Sequence, residues 1–313
     1  MVRLPVVWLL PLLCIASCGF TASDSLSAAE GQFESTARGV WLRHPFTVRT
    51  EDTLSLDVCI PDGLTPGAPG VIFVHGGAFS TGSMDAGPHV ALLDTLVAHG
   101  IPCVRISYRL SMADRGFGCD VSSSEKQAAV MMAGEDLAAA YRWLESSPLP
   151  LPERWIAVGS SAGAETVMWS GYGSAALPWA GIVSFSGAIV DSIIPSSDAP
   201  PYFGVHGTCD KVVPAGHAIH RGCPPGEPDA WMLCGGLCWG NRMQDAGCIA
   251  RIHAYCGGTH GVCNSAMLDS ELQQDLIDWI IRPDARLSSE VQCRMEDGTT
   301  LTGLDQSCPE PCQ

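Results

Sequence analysis

The chain has 313 residues, 46% of them hydrophobic, enough to build one large α/β domain or two small ones around a core. Acidic residues outnumber basic ones 33 to 17, for a formal net charge of −16. No basic cluster occurs anywhere, which argues against nucleic acid as a partner, and the acidic surface speaks mainly of solubility.

Residues 1–18 read as a signal peptide. Arg3 supplies the positive start, and Leu4 to Ala16 is an apolar run too short for a comfortable membrane span. Ile15-Ala16-Ser17-Cys18 resembles a bacterial lipobox, in which Cys18 would be lipidated and tether the protein to a membrane. Ordinary cleavage near Ser17 is the alternative. Both make the protein exported: secreted, periplasmic or lipid-anchored at the cell envelope. The 15 cysteines agree with an oxidising compartment. Without Cys14 and Cys18, 13 remain, an odd number that leaves at least one thiol without an internal partner. Cys103, inside the apolar Ile101-Pro102-Cys103-Val104, is the expected buried free thiol. A Cys18 that paired instead would make the count even, so parity argues against the lipid. Residues 19–37, rich in Ser and Ala, read as a flexible leader.

From residue 38 a catalytic-size domain is expected to run to 283. Phe46 to Arg49 and Leu54 to Val58 alternate apolar and polar around Glu51-Asp52, the pattern of a hairpin. Gly70 to Val74 is a short continuous apolar run, as a parallel strand covered on both faces requires. Pro88 to His99 has helical spacing, with Val90, Leu93, Leu96 and Val97 on one side and Gly100 as a stop. Pro102 to Ser107 predicts a strand and Ala128 to Leu144 an amphipathic helix. Trp155 to Gly159 predicts the next strand and Ala164 to Ser170 a helix. Strands are expected at Ile182 to Phe185, Tyr202 to Val205 and Cys248 to Tyr255, and a closing helix at Met267 to Ile281. The regular alternation indicates a mostly parallel central sheet with helices on both faces. Residues 222–247, with Cys223, Cys234 and Cys238, and residues 284–313, with Cys293, Cys308 and Cys312, read as disulfide-stapled surface additions. A metal site at Cys234 and Cys238 with His217 or His220 is the alternative for the first.

Between the strand at Trp155 and the following helix lies Gly159-Ser160-Ser161-Ala162-Gly163. Strand, Gly-x-Ser-x-Gly, helix is the context of a nucleophile elbow. The glycines relieve crowding in a sharp turn, and the helix start favours developing negative charge at Ser161. A serine hydroxyl also needs a base, a group that orients the base, and donors for an oxyanion. His260, in Gly257-Gly258-Thr259-His260-Gly261, is the candidate base. Asp210, in His206-Gly207-Thr208-Cys209-Asp210, is the candidate acid, with Asp191 and Asp245 as weaker alternatives. The loop His75-Gly76-Gly77-Ala78-Phe79 follows a strand and offers amides at Gly77 and Ala78, joined by that of Ala162, as an oxyanion hole. His75 and His206 are expected to shape glycine turns.

These motifs, with Ile106-Ser107-Tyr108-Arg109-Leu110 and Glu135-Asp136-Leu137-Ala138-Ala139-Ala140-Tyr141-Arg142-Trp143-Leu144, make the sequence resemble the α/β-hydrolase superfamily. The branch it resembles is the carboxylesterase and lipase-like one with an HGG-type oxyanion loop, over about residues 45 to 282. The resemblance implies an α/β-hydrolase fold and, since the chain between Phe185 and Tyr202 is short, no large cap domain. It also implies nucleophile, acid and base roles for Ser161, Asp210 and His260, and a small-molecule carboxylic ester as substrate with no cofactor. Ala78 stands where a third glycine is common in that loop. A serine peptidase, or a depolymerase of polyester or aromatic-ester material, would use the same residues. A non-catalytic binding protein of this fold is the reading from a different class.

Overall fold

The hairpin expected around Glu51-Asp52 is present as β2 (Gly39–Arg49) antiparallel to β3 (Asp52–Cys59), with a bulge between Pro45 and Thr47. The computed structural model describes residues 33–36, 39–49, 52–174, 176–226, 228, 230–282, 288–294 and 300–302. The signal peptide with Cys18, the leader to residue 32, and Cys308 and Cys312 lie outside the described residues.

Chain order runs from β1 (Phe33–Thr36) through the hairpin to β4 (Gly70–Val74), α1 (Pro88–Ala98), β5 (Cys103–Ile106) and α2 (Ser123–Ser146). It continues with β6 (Trp155–Ser160), α3 (Ala162–Tyr172), β7 (Gly181–Phe185), the short β8 (Ala188–Val190) and β9 (Tyr202–Gly207). After β10 (His217–Ile219) and β11 (Met232–Gly235) come α4 (Gly236–Asp245), β12 (Ala250–Tyr255), α5 (Val262–Ser265), α6 (Ser270–Ile281), β13 (Glu290–Arg294) and β14 (Thr300–Thr302). The main sheet has the order β1-β2-β3-β5-β4-β6-β7-β9-β12-β13-β14. Every pair from β5 to β13 is parallel, with antiparallel strands at both ends. A second, antiparallel sheet, β10-β11-β8, stands apart from it.

The core explains why the parallel strands read as continuous apolar runs. Alternate residues of β4 enter opposite layers: Ile72 and Val74 pack with Leu137, Val167 and Trp239 of α2, α3 and α4, whereas Val71 and Phe73 pack with Leu93 of α1 and Trp279 of α6. Both faces of the sheet are covered, as parallel sheets require.

Several boundaries differ from expectation. In α1, His89 and Leu92 join the buried stripe while Val90 is only partly covered. α2 starts before Ala128 because Ser122 and Glu125 form a capping box: the Ser122 hydroxyl accepts from the Glu125 amide at 3.2 Å, and the Glu125 carboxylate accepts from the Ser122 amide at 3.0 Å. α3 begins at Ala162, directly after the elbow serine. α6 begins at Ser270, not Met267, because the Asp269 carboxylate caps the amides of Glu271 and Leu272 at 3.0 and 3.1 Å.

The cysteine-rich stretch expected as a surface addition contains α4, which crosses from β11 to β12 and buries Trp239 and Met243 against the sheet. Cys234 and Cys238 are joined by a disulfide, His217 pairs with Asp191 at 3.0 Å, and the Nζ of Lys126 donates to Nδ1 of His220 at 2.9 Å. Those four residues are therefore spent on other partners, which removes the metal reading. A second disulfide joins Cys119 to Cys223, and Cys209 and Cys256 are also disulfide-bonded. Cys103 is a free buried thiol, together with Cys59, Cys248 and Cys263. In the C-terminal stretch, β13 adds a parallel strand to β12.

Candidate active site

The chemistry-bearing loops leave the C-terminal ends of four parallel strands, β4, β6, β9 and β12, where ligands bind in open α/β sheets. β6 delivers Ser161 into a left-handed conformation, φ 50° and ψ −119°. A non-glycine residue is held there only when its surroundings enforce it. Enforcement comes from Gly159 and Gly163. A Cβ on Gly159 would overlap the backbone of Gly163, and one on Gly163 would overlap the carbonyls of Val74 and His75. The Ser161 amide donates to the Phe185 carbonyl at 2.8 Å, pinning the turn to the end of β7.

The structure brings the three residues singled out in the sequence together. Ser161 Oγ lies 2.9 Å from His260 Nε2, and His260 Nδ1 lies 2.7 Å from Asp210 Oδ2. Nδ1 donates to the carboxylate, which leaves Nε2 free to accept from the serine hydroxyl. Asp191 and Asp245 are elsewhere: Asp191 is engaged by Arg242 and His217, and Asp245 ends α4 on the surface.

Asp210 is held from all sides. Its Oδ1 accepts from the amides of Val212 and Val213 at 2.8 and 3.0 Å. Fully buried His206 is its further neighbour. Nδ1 of His206 accepts from the Gly236 amide at 3.3 Å, so Nε2 carries the proton and faces the Val213 carbonyl at 3.0 Å and Asp210 Oδ2 at 3.4 Å. Burial alone would push the Asp210 carboxyl up, but the hydrogen bonds from His206 and His260 outweigh it and hold the group well below the usual carboxylate range. His206 was expected only to shape its turn. It also contacts the Asp210 carboxylate, and the one sequence signal was its place at the end of a strand, four residues before Asp210.

The loop after β4 makes two left-handed residues in succession, Ala78 at φ 54° and Phe79 at φ 55°, after Gly77 at φ 120°. The turn closes through the Ser80 and Thr81 amides, which donate to the Gly77 carbonyl at 3.0 and 2.9 Å. No hydrogen bond among the described residues uses the amides of Gly77 and Ala78. Ala162 is the first residue of α3, where an amide has no intrahelical acceptor. His75 anchors the loop: its ring stacks on Tyr108 at 4.4 Å, and the Tyr108 hydroxyl donates to the His75 carbonyl at 2.9 Å. The neighbouring Arg109 reaches into α2, where its Nε and amide donate to fully buried Asp136 at 2.8 and 3.0 Å.

Ser161, His260, Gly77 and Ala78 all line one cleft of about 560 Å³. Its wall also contains Arg221, which nothing in the sequence singled out.

No protein-family model matches the chain, and no curated protein matches it in sequence. Solved structures do resemble it. A thermophilic esterase, Est2 of the planctomycete Thermogutta terrifontis, superposes in its native form with a TM-score of 0.54 at 17% identity, over 76% of this chain and 90% of that one. The apo form gives 0.54 at 16% identity over 78% and 93%, and the form phosphorylated by paraoxon gives 0.54 at 16% over 76% and 90%. Likeness at such identity speaks for architecture, and together with the parallel sheet covered on both faces it leads to one conclusion: the chain has an α/β-hydrolase fold.

Proposed function

We propose that the protein is a serine hydrolase that cleaves carboxylic esters of small molecules. The observation that carries this reading is the continuous chain from Ser161 Oγ to His260 Nε2, at 2.9 Å, and from His260 Nδ1 to Asp210 Oδ2, at 2.7 Å, at a strained elbow. Ser161 attacks the ester carbonyl while His260 takes its proton. Asp210, kept ionised by its donors, orients the imidazole and stabilises the cation that forms. The amides of Gly77, Ala78 and Ala162 receive the oxyanion, each worth roughly 10²–10³ in rate. His260 then delivers its proton to the leaving alcohol, and a water activated by the same imidazole releases the acid. Every step uses this chain's own residues and needs no cofactor.

Export is part of the proposal. It is supported by the signal-like start and by disulfides, which persist in oxidising compartments. No helix among the described residues is long and apolar enough to cross a membrane. A tether through lipidated Cys18 is the anchored form of the same proposal. The test is hydrolysis of p-nitrophenyl acetate, butyrate, octanoate and palmitate by the oxidised protein beside Ser161→Ala. The expected result is activity on the shorter esters that the variant loses. Equal rates in both proteins would remove Ser161 from its role. A folded wild type inactive on every ester but active on a matched amide would turn the reading to a peptidase.

A further inference from the structure

The wall of the cleft holds one permanent cation, Arg221, and no Asp or Glu among the described residues that line it. Resting on the ester-hydrolase reading above, we propose that Arg221 binds a carboxylate carried by the substrate. The enzyme is then selective for esters whose acyl or alcohol part bears an anionic group within the same cleft as Ser161.

Three independent observations support this. First, no carboxylate among the described residues is spent on Arg221. Arg43, Arg105, Arg109, Arg242 and Arg251 each meet a carboxylate. Arg221 forms no ion pair among the described residues, and its Nε is buried without a hydrogen-bond partner. For a partly covered guanidinium with no carboxylate partner among the described residues, an incoming carboxylate supplies the counter-charge. Second, its backbone is held in a left-handed conformation, φ 57° and ψ 8°. The non-glycine residues that share this region are Ala78, Phe79, Ser161 and Ser186. Ala78 and Ser161 line the same cleft, and Ser186 directly follows the β7 carbonyl that pins the elbow. Strain gathered around one cleft marks where the fold has been made to hold particular side chains. Third, Arg221 is tied to the machinery. Its amide donates to the Val212 carbonyl at 3.2 Å, and the Val212 amide donates to Asp210 at 2.8 Å. Two residues on, the Cys223–Cys119 disulfide fastens the turn.

The chemistry selects a carboxylate. A guanidinium is a planar fork that matches its two oxygens. One side of the wall is small or hydroxylated, with Thr81, Gly82, Ser83 and Ala86, and the remainder includes Pro88, His89, Val212 and Asn264, a lining with no long apolar side chain. The net charge of −16 repels anions at long range, but screening beyond about 8 Å at physiological salt leaves the local cation to decide selection.

The test compares kcat/KM for charged and neutral esters of matched size. On the acyl side these are monoethyl glutarate and monoethyl adipate against ethyl valerate and ethyl hexanoate. On the alcohol side they are 3-carboxyphenyl acetate against its 3-carbamoyl analogue. We expect a preference of about tenfold or more for the charged member in one arm, and the arm that shows it identifies the side that carries the carboxylate. Arg221→Gln should bring that ratio close to one, and Arg221→Lys should keep part of it. No preference in either arm, or a preference that survives Arg221→Gln, overturns the proposal. Calorimetric binding of monoethyl glutarate and of 3-carboxyphenyl acetate to Ser161→Ala, with and without Arg221→Gln, reads the anion site without turnover. Arg221-dependent binding without hydrolysis of any ester would keep the anion site and sink ester cleavage. Absence of Arg221-dependent binding of both overturns the anion site whether or not esters are cleaved.

Discussion

Asp210 is a buried carboxyl that ionises readily because its oxygens are met by two amides, His260 and His206. In the proposed mechanism its negative charge selects the imidazole tautomer with a proton on Nδ1. Asp210→Asn removes that selection with almost no change in shape. We expect kcat on a short p-nitrophenyl ester to fall by roughly 10³–10⁴-fold with little change in KM. A loss below tenfold would contradict the role of the acid. At this scale the sequence was informative wherever backbone geometry dictates residue type. Gly159 and Gly163 were readable because no side chain fits against the carbonyls they touch. Ala78 was readable as a departure and occupies a left-handed position all the same. Arg221 and the second role of His206 were hidden, since both follow from which loops meet across the end of the sheet.

Among the elements, the edge of the sheet holds a charge ladder that short apolar patterns do not reveal. Asp57 on β3 faces Arg43 on β2 and Arg105 on β5 in register. It accepts from Arg43 Nε at 2.7 Å and from Arg105 Nε at 3.0 Å, and Arg43 also reaches Asp85. Arg105 is 1% exposed and its guanidinium lies 4.7 Å from the Trp41 ring. Asp57→Ala takes away the nearest carboxylate of buried Arg105, which keeps its longer contact to Asp85 at 3.5 Å, and should cost about 3 kcal/mol in a urea unfolding experiment. A cost below 1 kcal/mol would mean the ladder relaxes around the loss. The parallel strands were legible because burial on both faces leaves unbroken apolar runs. α4 was not, because Gly235, Gly236 and Gly240 disguise a helix whose Trp239 and Met243 are in the core. The early start of α2 was written in Ser122 and Glu125 as a capping box and went unread.

For the molecule as a whole, acid is expected to unfold the protein in two stages. Burial lowers His75, His89 and His253, with His89 brought to about 4. A histidine whose folded pKa is below its unfolded 6.5 binds its proton more readily when unfolded, so stability is retained above that value and lost as pH falls beneath it. His89 alone accounts for about 3 kcal/mol by pH 4, a large share of a typical stability of about 5–15 kcal/mol. Asp210 acts lower: its depressed folded pKa keeps its contribution intact above 3.8 and removes it below. Denaturant midpoints should therefore drop between pH 7 and 4.5 and drop further below 3.8. A midpoint that is flat from pH 7 to 4.5 would contradict the buried neutral histidines.

The most direct measurement of the central claim is covalent. The oxidised protein and Ser161→Ala are incubated with paraoxon and digested, and the peptides are read by mass spectrometry. One diethylphosphoryl group is expected on Ser161 in the wild type and none in the variant. Labelling of another serine, or equal labelling in both proteins, would contradict the nucleophile on which the reading stands.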